Sequence, residues 1–107
     1  MIDIIQRSEK EIYLIQVSGE IDNGFAARTL WSALRNGKKH KIIKIDLSDV
    51  SFANSNFIDV LIRFSRRDGY PASQIMLDNP NQLLRDMLSI TGACRIFNVY
   101  AGSVCGV

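Results

Sequence analysis

The sequence predicts an α/β domain: a mixed, mostly parallel β-sheet with helices packed against it and an antiparallel hairpin at its start. Three observations carry that prediction. Residues 42–47 hold Ile42, Ile43, Ile45 and Leu47, broken only by Lys44 and Asp46, the pattern of a strand buried on both faces of a sheet. Soon after, Phe57, Val60, Leu61 and Phe64 recur three and four apart, which puts them on one face of a helix. Near the amino terminus, two β-rich segments at 2–5 and 12–17 are joined by a few polar residues, as in a hairpin. Strands that alternate with helices lead to a mostly parallel sheet with helical crossovers.

Taken in order, residues 2–5 form a short first strand and Arg7-Ser8-Glu9-Lys10 a polar turn. In the second strand Ile12, Leu14 and Gln16 alternate with Tyr13, Ile15 and Val17. The stretch Ser18-Gly19-Glu20-Ile21-Asp22-Asn23-Gly24 ends it with turn chemistry, and Asp22 or Asn23 is fit to cap the next helix. Ala26, Ala27, Leu30, Trp31 and Leu34 make the stripe of that first helix, which places Trp31 in the core; Asn36-Gly37 stops it. A basic turn at Lys38-Lys39-His40-Lys41 leads to the central strand. Asn54-Ser55-Asn56 then opens a second helix, starting near Asn56 and ending near Arg66-Arg67-Asp68-Gly69. After a loop at 70–73, residues 74–77 form a further strand. Asp78-Asn79-Pro80 starts a third helix with proline in its first turn, and Leu83, Leu84, Met87 and Leu88 supply its buried face. Thr91-Gly92 closes that helix, residues 95–100 form a short edge strand, and 101–107 are a small-residue tail.

At 107 residues the chain matches one domain of the common size, roughly 100–150 residues, with its core at about 1–100. A formal net charge of +2 is too mild to imply nucleic acid. The basic clusters at 38–41 and at Arg63, Arg66 and Arg67 suit a solvated surface or a patch that docks an acidic partner. Met1-Ile2-Asp3-Ile4-Ile5 lacks the basic start of a signal peptide, and no apolar run approaches the ~18 residues of a membrane span. A cytoplasmic protein without direct membrane insertion is expected. Cys94 and Cys105 have neither disulfide-scaffold nor metal-ligand spacing, and are expected as small buried or tail residues in a reducing compartment. His40 stands alone in a lysine-rich turn, which removes His-based triads and His-rich metal sites. No phosphate-cradling or dinucleotide-binding glycine motif occurs. No cofactor and no metal are therefore expected. Asp46 and Asp49 flank Ser48 and invite a carboxylate-pair reading, but carboxylates in a turn after a strand more often cap or accept hydrogen bonds. No catalytic residue and no enzyme are expected.

The functional weight falls on Ser55. A strand that feeds a helix through a short polar turn presents backbone N–H groups and the positive end of the helix dipole. A serine there is placed for an anionic modification or an anionic partner, although a plain helix-start serine fits the same residues.

Three separated segments resemble the STAS domain, the fold of bacterial anti-sigma factor antagonists. VSGEID at 17–22 is similar to the family's strand-ending Gly-Glu-(Leu/Ile)-Asp. IDLSDVSFANS at 45–55 is similar to its strand, Asp-Leu-Ser turn and phosphorylation turn. LDNPNQLLRDMLSITGACRIFNVY at 77–100 looks like its Asn-Pro helix, Thr-Gly stop and final strand. The resemblance implies a single STAS-like domain and a partner switch. The unphosphorylated antagonist binds an anti-sigma factor that is also a serine kinase and so frees the sigma factor; the kinase phosphorylates the first serine of the turn, and a serine phosphatase resets it. Ser55 matches that serine. Glu20, Asp22 and Asn23, with Asn54, Ser55, Asn56, Phe57 and Asp59, would form the partner-binding surface. At the turn the chain has Asn54 for the family's usual Asp, Asn56 for a second Ser/Thr, Phe57 for a glycine and Asp59 for another small residue. Those substitutions also suit a second reading, a non-phosphorylated structural subunit of a signalling assembly or of a lipid ABC transporter. Monomer and homodimer fit the sequence equally.

Overall fold

The computed structural model describes residues 2–100; the tail expected at 101–107 lies outside them. Five strands form one sheet in the order β1-β2-β3-β4-β5: β1 Ile2–Glu9, β2 Ile12–Ile21, β3 Ile42–Ala53, β4 Ile75–Asp78 and β5 Asn98–Tyr100. The β1–β2 pair is antiparallel and the other three pairs are parallel. Helices α1 (Gly24–Asn36), α2 (Ser55–Arg67) and α3 (Gln82–Thr91) make the crossovers, with short 3-10 turns before β4 and β5. This is the mixed α/β sheet with an amino-terminal hairpin that the sequence predicts.

The core lies on one face of that sheet. Ile15, Val17, Ile43, Ile45, Leu47, Ile75 and Leu77 are buried under Leu30, Leu34, Phe57, Leu61, Phe64, Leu84 and Leu88 of the helices. Each helix turns an apolar stripe to the sheet, and each begins at an asparagine cap. Burial on both faces of β3 is corrected: the alternate residues Ile42, Lys44 and Asp46 are only half-buried. On that side Lys44 Nζ pairs with Asp78 Oδ2 of β4 at 3.1 Å, and Gln16, Asp46 and Asp78 lie side by side in register. A sheet with one solvated face keeps such polar residues in water, and the apolar run misleads only because Ile42 also faces out.

Several boundaries move. The polar residues Arg7, Ser8 and Glu9 are strand, paired with Leu14, Tyr13 and Ile12; an edge strand with water on one side tolerates them. The turn shrinks to Lys10 and Glu11, with Lys10 at φ 54. β3 continues through the expected Asp-Leu-Ser turn to Ala53, accommodated by register shifts against β2 near Gln16/Ser18 and Gly19/Glu20. Asp46 and Asp49 therefore sit within a strand, and Asp46 Oδ1 accepts a hydrogen bond from Ser48 N at 3.0 Å.

The third helix starts later than Pro80 implies. Asn79 takes φ 54, and Asn81 is the cap, its side chain accepting from Leu84 N at 2.9 Å. With that phase Leu84 and Leu88 face the core and Leu83 is 50% exposed. Trp31 is half-buried and packs against the core's edge rather than within it. His40 is tied into the fold more than a solvated turn residue, with Ser8 Oγ 2.7 Å from its Nε2 and the Tyr13 ring beside it. Cys94 is disulfide-bonded, against the expectation of a simple small buried residue; the chain's other cysteine, Cys105, lies outside the described residues.

Candidate partner-binding site

Parallel neighbours β2 and β3 end side by side, with Glu20 opposite Phe52 and Ile21 opposite Ala53. Each then turns into a helix, and the two turns are stitched together by asparagine. Asn23 caps α1, accepting from Ala26 N at 2.9 Å, while its Nδ2 donates to Asp22 Oδ1 at 3.2 Å. Asn54 caps α2, accepting from Asn56 N at 2.9 Å, and its Nδ2 donates across to the Asp22 carbonyl at 3.1 Å. The Asn54 backbone N–H donates to the Ile21 carbonyl at 3.1 Å. The carboxyl ends of adjacent parallel strands, where α/β folds tend to place their binding groups, are thus held as one corner.

Ser55 is the first residue of α2 and is exposed. The first turn of that helix carries no acidic residue, so the positive end of its dipole faces outward without an internal counter-charge. A phosphoryl group there would meet a favourable helix end, while adding about −1.5 to −2 charges to the exposed corner. The hydroxyl borders a shallow depression of about 310 Å³ lined by Ser55, Asn56, Ile58, Asp59, Ile62 and Thr91. Thr91, at the end of α3, donates from Oγ1 to the Met87 carbonyl at 2.8 Å.

The structure brings Glu20, Asp22, Asn23, Asn54, Ser55, Asn56 and Asp59 to this corner and the adjoining flank of α2. Glu20, Asp22, Asn23 and Asp59 are exposed, and Asp59 Oδ2 pairs with Arg63 Nε at 3.1 Å. Phe57 is the exception. It is 0% exposed and belongs to the core, so it has no surface to give a partner; helical geometry turns it inward, two positions after the outward Ser55. Sequence reasoning misses Ile58, Ile62 and Thr91 as neighbours of Ser55, yet 55, 58 and 62 are spaced three and four apart, a signal present in the sequence. Among the described residues no group of three His, Cys, Asp or Glu could hold a metal ion, and no helix is long and apolar enough to cross a membrane.

A family model described as the STAS domain matches residues 3–103. A crystal structure of an anti-sigma factor antagonist from Mycobacterium paratuberculosis superposes with a TM-score of 0.79 at 21% identity, covering 94% of this chain and 86% of that one. An anti-sigma-factor antagonist (STAS) domain protein from Planctomyces limnophilus gives 0.74 at 20% identity, over 94% and 91% of the two chains. The Bacillus cell fate determinant SpoIIAA in its phosphorylated form gives 0.66 at 16% identity, over 94% and 93%. At such identities the likeness is one of fold. No curated protein matches the sequence.

Proposed function

The chain belongs to the STAS domain family, and from that premise we propose that it is a regulatory protein-binding module of the anti-sigma factor antagonist kind, switched by phosphorylation of Ser55. The observation that carries the reading is the position of Ser55: exposed, first in α2, on a corner that Asn54 ties to the Asp22 turn. SpoIIAA, of the same fold, has structures in both phosphorylated and unphosphorylated forms, which supports carrying the modification over to the matching serine. In this reading an anti-sigma factor that is also a serine kinase docks on Glu20, Asp22, Asn23, Asn56 and Asp59 around the neutral hydroxyl. Its transfer of the terminal phosphoryl group of ATP to the Ser55 oxygen, with ADP and the hydroxyl proton leaving, places a dianion in the interface, where desolvation and the nearby Asp22 and Asp59 carboxylates disfavour it. The complex separates, transcription is regulated by the freed kinase holding its sigma factor, and a serine phosphatase restores the hydroxyl. The working compartment is the cytoplasm.

The test is recovery of partners from the native cell with wild-type, Ser55→Ala and Ser55→Asp baits, combined with mass spectrometry of the bait. A serine kinase retained by the alanine bait, lost by the aspartate bait, and phosphate at Ser55 of the wild type are the expected results. Equal recovery on all three baits with Ser55 unmodified refutes the switch. One observation favours the structural-subunit reading: Asn54 is committed to holding the corner together and brings no charge beside the hydroxyl. That reading expects a stoichiometric assembly indifferent to residue 55.

A further inference from the structure

On the flank of α2 away from the Ser55 depression runs a groove of about 560 Å³, walled by α1 and α2. Residues 56, 59 and 63 of α2 line it, whereas 55, 58 and 62 line the depression; Asn56 and Asp59 border both. Arg28, Trp31 and Arg35 enter from α1, spaced three and four apart so that one face carries all three. Arg63 enters from α2, and one turn further on Arg67 lies 5.8 Å over the Trp31 ring.

Charge in this groove is unbalanced. Arg63 is neutralised by Asp59 at 3.1 Å and Arg35 faces Asp68 at 3.6 Å. Arg28 and Arg67 have no carboxylate within ion-pair distance among the described residues. The Arg63–Asp59 pair is exposed on both sides, so it is weak and exchangeable, and the exposed Arg35 shares Asp68 with Lys38, which pairs with it at 3.5 Å. The half-buried Trp31 supplies a large apolar contact between the cations, and tryptophan with arginine is the composition that dominates binding energy at protein interfaces.

We infer that the groove between α1 and α2 is a second docking site, which takes an acidic segment of a partner protein through Arg28, Arg35 and Arg63, with an apolar side chain of that segment against Trp31. Both helices have 13 residues, about 20 Å of wall, which matches roughly six residues of extended chain at about 3.3 Å each. Complementary charge sets the occupant's sign. The choice of a peptide over a nucleic acid or an anionic membrane rests on Asp59 and on the net charge of only +2. A carboxylate within the groove repels a uniform run of phosphates, while a peptide can set an uncharged residue against it. This site goes beyond the Ser55 switch: it shares Asn56 and Asp59 with that surface, but its cations and Trp31 lie outside it.

Trp31 is the only tryptophan in the chain, so its fluorescence reports directly on the groove. The probe is a synthetic peptide of alternating Glu and Asp with a central Leu-Phe pair, compared with its Gln/Asn counterpart, oligo-dT and phosphatidylglycerol vesicles. The acidic peptide is expected to change Trp31 emission saturably and to bind less tightly as salt rises. Ser55→Ala and Ser55→Asp should leave that binding within about twofold, since Ser55 itself does not line the groove and Arg28, Trp31 and Arg35 stand on the other helix. The double variant Arg28→Glu/Arg63→Glu should weaken it about tenfold or more, two exposed charge pairs each being turned from attraction to repulsion. Circular dichroism checks the fold, and Arg28→Gln/Arg63→Gln, expected to weaken binding roughly threefold, serves if the reversal unfolds the chain. No saturable change at millimolar peptide, equal binding of the neutral peptide, or tighter binding of oligo-dT or vesicles overturns the proposal.

Discussion

Replacing Asn54 by aspartate, the residue usual at this turn in the resembling family, should destabilise this chain. Asparagine and aspartate are equivalent as helix caps, so the bond accepted from Asn56 N at 2.9 Å survives the change. The second bond does not. Asn54 Nδ2 donates to the Asp22 carbonyl at 3.1 Å, and a carboxylate would set an oxygen against an oxygen there. Losing that bond costs about 1 kcal/mol, and the repulsion adds to it. The new charge at the start of α2 returns about 0.3–1 kcal/mol through the helix dipole. The net expectation for Asn54→Asp is a loss of about 0.5–1.5 kcal/mol, seen as a melting temperature lower by about 4–8 °C for each kcal/mol. Asn54→Ala loses the cap as well and should fall by about 2 kcal/mol. Urea unfolding monitored by circular dichroism measures both. An aspartate variant as stable as wild type or more so, beside a destabilised alanine variant, would refute the role given to the Nδ2 bond.

Phe57→Ala should cost about 3–5 kcal/mol by opening a cavity under α2, read as a lower urea midpoint; a small change would mean that Phe57 is not the core residue its burial makes it. Gly37→Ala places a methyl 2.5 Å from Tyr13 Cδ2 and should destabilise by about 1–3 kcal/mol, with the near-ultraviolet tyrosine signal changing as the ring moves. Tyr70, whose hydroxyl donates to the His40 carbonyl at 3.0 Å, has its pKa pushed up to about 12 from 10.0 by burial, against a smaller opposing pull from the Ile43 backbone. Because the folded state holds the proton more tightly, Tyr70's contribution is intact below pH 10 and is lost as pH rises from 10 through 12. Midpoints measured at pH 9 and 11.5 should therefore diverge more in wild type than in Tyr70→Phe; identical slopes would exclude the linkage.

The architecture is legible in the sequence because it rests on periodicity. The spacing of Phe57, Val60, Leu61 and Phe64 puts α2 against the sheet, and all four are buried. Periodicity does not resolve a choice among equals. Asp78, Asn79 and Asn81 can each cap a helix, and only the left-handed turn at Asn79 decides for Asn81; the phase of α3, and with it the exposure of Leu83, depends on that choice. The residues of Asp-Leu-Ser read as a turn, but they remain strand because β2 pairs on either side of a register shift there, with Asp46 and again with Asp49. At the site, Ser55 is visible from its local chemistry. The Asn54–Asp22 bond is not, since it joins positions 32 apart in the chain. The groove arginines are partly visible: Arg63 and Arg67 stand out as a cluster, whereas Arg28 and Arg35 gain meaning only when α1 lies beside α2.

The sheet's strand order, β1 to β5 without a break, bears on how the chain acquires its shape. Every strand pairs with the one made just before it, so none has to be inserted between two that are already joined. Loop closure at each step spans one helix at most, which keeps the entropic barrier to each addition low. The hairpin can form as soon as Ile21 is available, since its register pairs residues 2–9 with 12–19. As synthesis proceeds from the amino terminus, β3 and then β4 can each join a free edge. The corner that carries Ser55 needs only β2, α1, β3 and the first turn of α2, all complete by residue 67 of 107. The corner around Ser55 can thus exist on the nascent chain before the last strand has been translated.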